Sequence, residues 1–172
     1  MEEQLTVKGA GLRYGVIAAI VLIIYGLILQ IAGLITNQAL AYINYLILAV
    51  IIFLAHKAYK EKGDGFMTFG QGLSIGVIIS IISGVVSAIF SYIYLKFVDD
   101  SMLAMIREQS YRTMEEKGMS DEQIEQAMGF SEKFMSPEMI LVFGIIGMVF
   151  FGFIISLIVA LITKKNNPAV SI

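Results

Sequence analysis

Apolar residues in this chain gather into three long stretches that carry no charge. Tyr14–Ala55 runs for 42 residues, Gly65–Leu95 for 31 and Met139–Thr163 for 25 without Asp, Glu, Lys or Arg. About 20 apolar residues cross a hydrocarbon core as a helix, so each stretch suffices for a pass and the first suffices for two. Thr36, Asn37 and Gln38 form a polar break in the right place to fold that first stretch into a helical hairpin. The pattern predicts an all-α membrane protein with four transmembrane helices, at about 14–35, 39–55, 69–97 and 137–163. A short extracytoplasmic helical segment, 98–136, connects the third helix to the fourth, and residues 1–172 make one membrane domain.

The fourth span carries 17 Ile, Leu, Val or Phe residues between Ile140 and Ile162. Each favours insertion by roughly 0.3–0.6 kcal/mol, which outweighs the span's glycines. Ser136 as N-cap, Pro137 at the first helical position and Glu138 in the first turn mark its start. The second span is short. At 17 residues it rises only about 25 Å against a core of about 30 Å, so it is expected to stand upright, thin the bilayer or let His56 and Lys57 snorkel.

Between the last two spans, one helix is expected after Asp100 or Ser101, with Met102, Leu103, Ile106 and Met114 toward one side and Gly118 at its end. A second begins with the capping-box pattern Ser120 to Gln123 and carries Ile124 and Met128 before Gly129. About 40 residues without a disulfide or metal bury too little core to stand alone, so this segment should lie on the bundle or on the outer leaflet.

Composition agrees: 58% apolar residues, 15% charged and a mean hydropathy of +0.81 belong to the membrane class. With no cysteine, disulfides and thiolate metal sites are excluded. Met1–Arg13 mixes Glu2 and Glu3 with Lys8 and Arg13, and the apolar run after it exceeds the roughly 7–15 residues of a signal peptide, so a retained anchor is expected. Orientation follows from the basic residues of the short loops, which stay in the cytoplasm. Lys8, Arg13, Lys57, Lys60, Lys62, Lys164 and Lys165 share one side, whereas the 98–136 region and its flanks, Lys96 to Glu138, hold ten acids against five bases. Both termini are therefore expected in the cytoplasm, with the chain in a bacterial inner membrane. Tyr14 and Tyr59 inside, and Tyr42, Tyr92 and Tyr94 outside, fall where an aromatic belt would place them.

The third helix carries small residues at every fourth position, Gly72, Gly76, Ser80, Gly84 and Ala88, beside a second row of Ser83, Ser87 and Ser91. Such rows let helices approach closely in lipid, so they are candidate packing positions, within one bundle or between copies. Gly144, Gly152, Ser156 and Ala160 offer a matching row on the fourth helix, and Ala19, Gly26 and Gly33 recur every seventh residue on the first.

Gln30 and Asn44 are the candidate intramembrane polar residues, placed deep in the hairpin. Either would suit a solute path, but an interhelical hydrogen bond is the ordinary use of such an amide. Apart from Lys96 and Glu138 at the outer ends of the third and fourth spans, no span contains an ionisable Asp, Glu, Lys or Arg, the groups that mark ion paths and proton relays. His56, the only histidine, sits at the membrane edge without metal-ligand neighbours and is expected to anchor there. Seven of ten methionines lie between Met102 and Met139, which raises a copper(I) site. Only Met102 and Met105 have close helical spacing, and packing or lipid contact is the expected role. Catalytic, cofactor-binding and metal-binding residues are expected to be none, and no cofactor or nucleic-acid partner is implied.

The stretch Lys57-Ala-Tyr-Lys-Glu-Lys-Gly-Asp-Gly-Phe-Met-Thr-Phe-Gly-Gln-Gly72 resembles a family of small four-helix bacterial membrane proteins, domain of unknown function 4199. The shared pattern is a basic turn, a glycine, then aromatic-Thr/Ser-Phe-x-Gln/Glu leading into a serine- and glycine-rich helix, followed by an acidic outer segment and a last span. The resemblance covers roughly Lys8 to Lys164 and implies no activity or catalytic residue. The expected function is that of an uncharacterised multi-pass membrane protein, not an enzyme, serving as an interaction or accessory subunit; the alternative is a small solute channel or transporter. Its partners are the lipid bilayer and either another membrane protein or further copies of the chain.

Overall fold

A computed structural model describes residues 4–168. Four helices are long and apolar enough to cross a membrane: α1 (Val7–Ile31), α2 (Gln38–Glu61), α3 (Phe69–Phe97) and, after two shorter helices α4 (Ser101–Glu116) and α5 (Asp121–Ser131), α6 (Pro137–Thr163). A single 3-10 turn, Glu132–Phe134, joins α5 to α6. Bounds of α3 and α6 coincide with those the hydropathy pattern predicts.

Local chemistry sets each boundary. At α3, Thr68 Oγ1 accepts from Gln71 N–H at 3.2 Å while Thr68 N–H donates to the Gln71 side chain at 2.7 Å, a reciprocal capping box. Ser120 and Gln123 repeat the arrangement at α5, and Ser136 Oγ accepts from Met139 N–H at α6. Asn37 Oδ1 caps α2 through Ala39 and Leu40.

Two spans differ from expectation. The first begins at Val7, not Tyr14, because Thr6 caps it and Lys8 and Arg13 lie on its exposed side, where charge does not interrupt a helix. It ends at Ile31: Gly33, at φ +68°, closes a Schellman turn in which Leu34 N–H reaches Leu29 O and Gly33 N–H reaches Gln30 O. The second span continues to Glu61 and is 24 residues long, about 36 Å of helix, so it is not short for the bilayer.

α3 is the central helix, packed along α6 on one side and α1 on the other, while α2 lies against α1 and α6. Ala18, Leu48, Ile52, Ile75 and Ile79 are fully or almost fully enclosed between them. Outward-facing Ile20, Ile28, Leu46, Ile146 and Phe150 stay exposed, as helices bathed in lipid require. At the end where α1 begins and α6 finishes, Met67 and Lys165 exchange backbone hydrogen bonds of 2.9 and 2.8 Å, tying the α2–α3 turn to the exit of α6.

Candidate functional site

The closest packing in the molecule is the seam between α3 and α6. These helices run antiparallel in one register, with Gly72 opposite Ala160, Gly76 opposite Ser156, Ser80 opposite Gly152, Gly84 opposite Met148 and Ala88 opposite Gly144. A Cβ added at Gly76 would lie 2.6 Å from Ser156 Cβ, and one at Gly152 would collide with Ser80. The hydroxyls turn inward along their own helices, Ser80 Oγ to Gly76 O at 2.8 Å and Ser156 Oγ to Gly152 O at 2.6 Å. Both serines are fully buried without an unmatched proton.

On α1 the close contact uses different glycines from those expected. A Cβ at Gly11 or Gly15 would fall within 2.5 and 2.8 Å of Ile78 and Ile82 of α3, whereas Gly26 has nothing within 4 Å and Gly33 serves the turn. Of the row Ala19, Gly26 and Gly33, only Ala19 is buried.

His56 is buried inside the bundle near the end where α3 begins and α6 finishes, and its place differs from the expected snorkelling anchor. Its ring is wholly enclosed, with Nε2 2.9 Å from Gly72 O and Nδ1 2.7 Å from Thr163 Oγ1. A carbonyl only accepts, so Nε2 carries a proton. Thr163 Oγ1 is also 2.7 Å from Val159 O, so its one proton goes either to Nδ1 of a neutral ring or to that carbonyl. The junction joins α2, α3 and α6. The absence of a side chain at Gly72 leaves room for the ring: a Cβ there would stand 3.1 Å from Met67 Cε, 3.2 Å from Ala160 Cβ and 3.3 Å from the imidazole Cε1. Lys60 Nζ donates to Thr163 O at 2.9 Å just outside it. Sequence reasoning missed this junction, although Leu48, Ile52 and His56 stand at successive i, i+4 positions on one face of α2, and that spacing places the imidazole in the core.

The two intramembrane amides do not meet. Gln30, in the last turn of α1, donates to Asp99 Oδ2 at 3.3 Å, beyond the end of α3. Bonds from the Ser101 backbone and hydroxyl hold the Asp99 carboxyl below its ordinary range, and Gln30 adds to them. Asn44 donates within its own helix to Ala41 O at 3.3 Å. Between α1 and α3 lies a pocket of about 120 Å³ lined by Gly26, Gln30, Ser87, Ser91 and Tyr94, where the buried Ser87 hydroxyl has no protein partner. A cleft of about 600 Å³ with mixed polar and apolar walls opens where α1 begins and α6 ends, among Gln4, Tyr59, Asp64, Phe66, Gln71 and Asn166. Met102 and Met105 line separate recesses. Among the described residues no three His, Cys, Asp or Glu side chains converge as metal ligands.

Comparison with family models matches residues 13–165 to the family described as Protein of unknown function (DUF4199). Neither a curated protein nor a solved structure matches.

Proposed function

Because the chain belongs to the DUF4199 family of proteins of unknown function, its functional reading comes from its own residues, and we propose that it is a non-enzymatic interaction or accessory subunit of a bacterial inner membrane. The carrying observation is the α3–α6 seam: glycine and serine rungs touch along the centre of the bundle, and the serine hydroxyls bond within their helices rather than lining a path. A coupled carrier needs an ionisable or strongly coordinating group near the midplane, and the charge-free stretches offer only amides and hydroxyls. A small solute channel or transporter is the second reading, favoured by the α1–α3 pocket with its unpartnered Ser87.

Purified protein in liposomes is expected to accumulate no solute under an imposed pH or sodium gradient. Gradient-driven uptake that disappears in Gln30→Leu or Asn44→Leu would replace the accessory reading with the transport one. Purification from native membranes in mild detergent should, on the accessory reading, return the chain with a stoichiometric membrane-protein partner.

Orientation is proposed with both termini in the cytoplasm, from the seven basic residues that flank the spans on that side. Single cysteines at the exposed positions Lys62 and Lys117 test it in this cysteine-free chain. On intact spheroplasts an impermeant maleimide should label Lys117→Cys, and Lys62→Cys only after lysis. The reverse pattern would invert the topology.

A further inference from the structure

α5 has two apolar sides that face different surroundings. Ile124 points inward and is 1% exposed, and Met128 lines the groove shared with α4. Phe130 and Phe134 are turned outward, 64% and 41% exposed. They are not scattered. The Phe130 and Phe134 rings stand 5.1 Å apart, and Phe134 is 6.1 Å from Phe143 of α6. Phe143 is itself exposed among Val142, Ile146 and Phe150 on the side of a spanning helix.

Depth decides what covers these rings. Phe143 stands six residues beyond Pro137, about 9 Å along the axis of α6. A ring in contact with it therefore hangs well below the point where α6 begins. Interfacial amphipathic helices bury their apolar side about 5–10 Å into the boundary between headgroups and acyl chains, which is that depth. The charges nearby allow it: Glu132 pairs with Arg107 at 3.4 Å, and exposed Lys133 can extend its ammonium toward lipid phosphate. The Arg107–Glu132 pair lines the α4–α5 groove together with Glu108, Asp121 and Glu125, on the side of α5 that carries Ile124 and Met128.

We propose that Phe130 and Phe134 are a lipid anchor: the C-terminal turn of α5 and the 3-10 turn after it insert into the leaflet at which α3 leaves and α6 enters the membrane, continuing the bilayer-facing surface of α6. The anchor fixes the α4–α5 layer against the membrane with its acidic groove toward water. It depends on neither the orientation nor the accessory reading above.

The chain has no tryptophan, so a single Phe→Trp substitution reports its own surroundings. The full chain with Phe130→Trp, or separately with Phe134→Trp, is reconstituted in phosphatidylcholine–phosphatidylglycerol vesicles. Each should lose most of its fluorescence when the lipids are brominated in the upper acyl chain, and little with acrylamide in the water. Tyr111→Trp, in the α4–α5 groove, should behave in the opposite way. Quenching of both Phe→Trp variants by acrylamide would overturn the anchor in favour of an exposed aromatic patch. Protection from both quenchers would overturn it in favour of a protein cover, either a partner or a second copy.

Discussion

Gly152→Ile is expected to lower the stability of the detergent-solubilised protein by about 3 kcal/mol, near the upper end of what overpacking costs. Gly147→Ile on the same helix should change it little. The difference is position: a Cβ at Gly152 collides with Ser80, while Gly147 has nothing within 4 Å. Gly76→Ile should match the severe case, and Gly84→Ile should fall between, because its nearest neighbours, Met148 Cβ and Cγ at 3.1 Å, leave more room than the Ser156 Cβ at 2.6 Å that faces Gly76. Thermal unfolding in detergent ranks the four. Inverting one rung is the sharper test. Gly76→Ser alone crowds Ser156, whereas Gly76→Ser combined with Ser156→Gly restores one hydroxymethyl group to that level of the seam and should recover most of the loss. A double variant no better than Gly76→Ser alone would mean that these residues are not opposed.

Most of the membrane architecture is legible without coordinates, for physical reasons that differ by element. A span is defined by the absence of charge over a length the bilayer fixes, and α3 and α6 satisfy that rule between sharp caps, Thr68 and Ser136. α1 and α2 overrun their charge-free cores because a helix tolerates Lys8, Arg13 and Lys57 on a face that meets water or headgroups, while Lys60 donates to the last carbonyl of α6. A span that starts at Tyr14 leaves Gly11 outside it, so the seven-residue row through Gly26 and Gly33 stands out in the sequence, whereas the close approach to Ile78 and Ile82 is made by Gly11 and Gly15.

The seam residues themselves were visible as a four-residue repeat, since smallness in lipid has few other uses. Their register was not, because repetition on each helix leaves every four-residue slip open and only the two full side-chain sets select Gly76 opposite Ser156. The same boundary moves Gln30: α1 ends at Ile31 rather than Ile35, so the amide sits in the last turn of the helix and reaches Asp99. The burial of His56 is readable from its spacing after Leu48 and Ile52, but its partners, 16 and 107 residues away, are carried by no local pattern.

His56→Ala should destabilise the bundle by about 3 kcal/mol, combining the cavity left by a fully enclosed ring with the loss of two hydrogen bonds of roughly 1 kcal/mol each, offset in part by local collapse. Lys57→Ala, one residue away and exposed, should be near neutral. Loss of packing and loss of polar ties can be separated. Thr163→Val keeps the side chain's shape and removes the hydroxyl that faces Nδ1, while Val159 O keeps its place in the helical ladder. In the cycle of His56→Ala, Thr163→Val and the double variant, a coupling of about 1 kcal/mol is expected if the ring and the hydroxyl bond each other. Hydrogen exchange gives the structural counterpart. α2 meets α3 less extensively than it meets α1 and α6, and His56 is its polar tie to both Gly72 and Thr163, so amides of α2 from Leu48 to Lys60 should exchange faster in His56→Ala than those of α3. Additive variants and unchanged exchange in α2 would mean that the imidazole fills space in the core without clamping the three helices together.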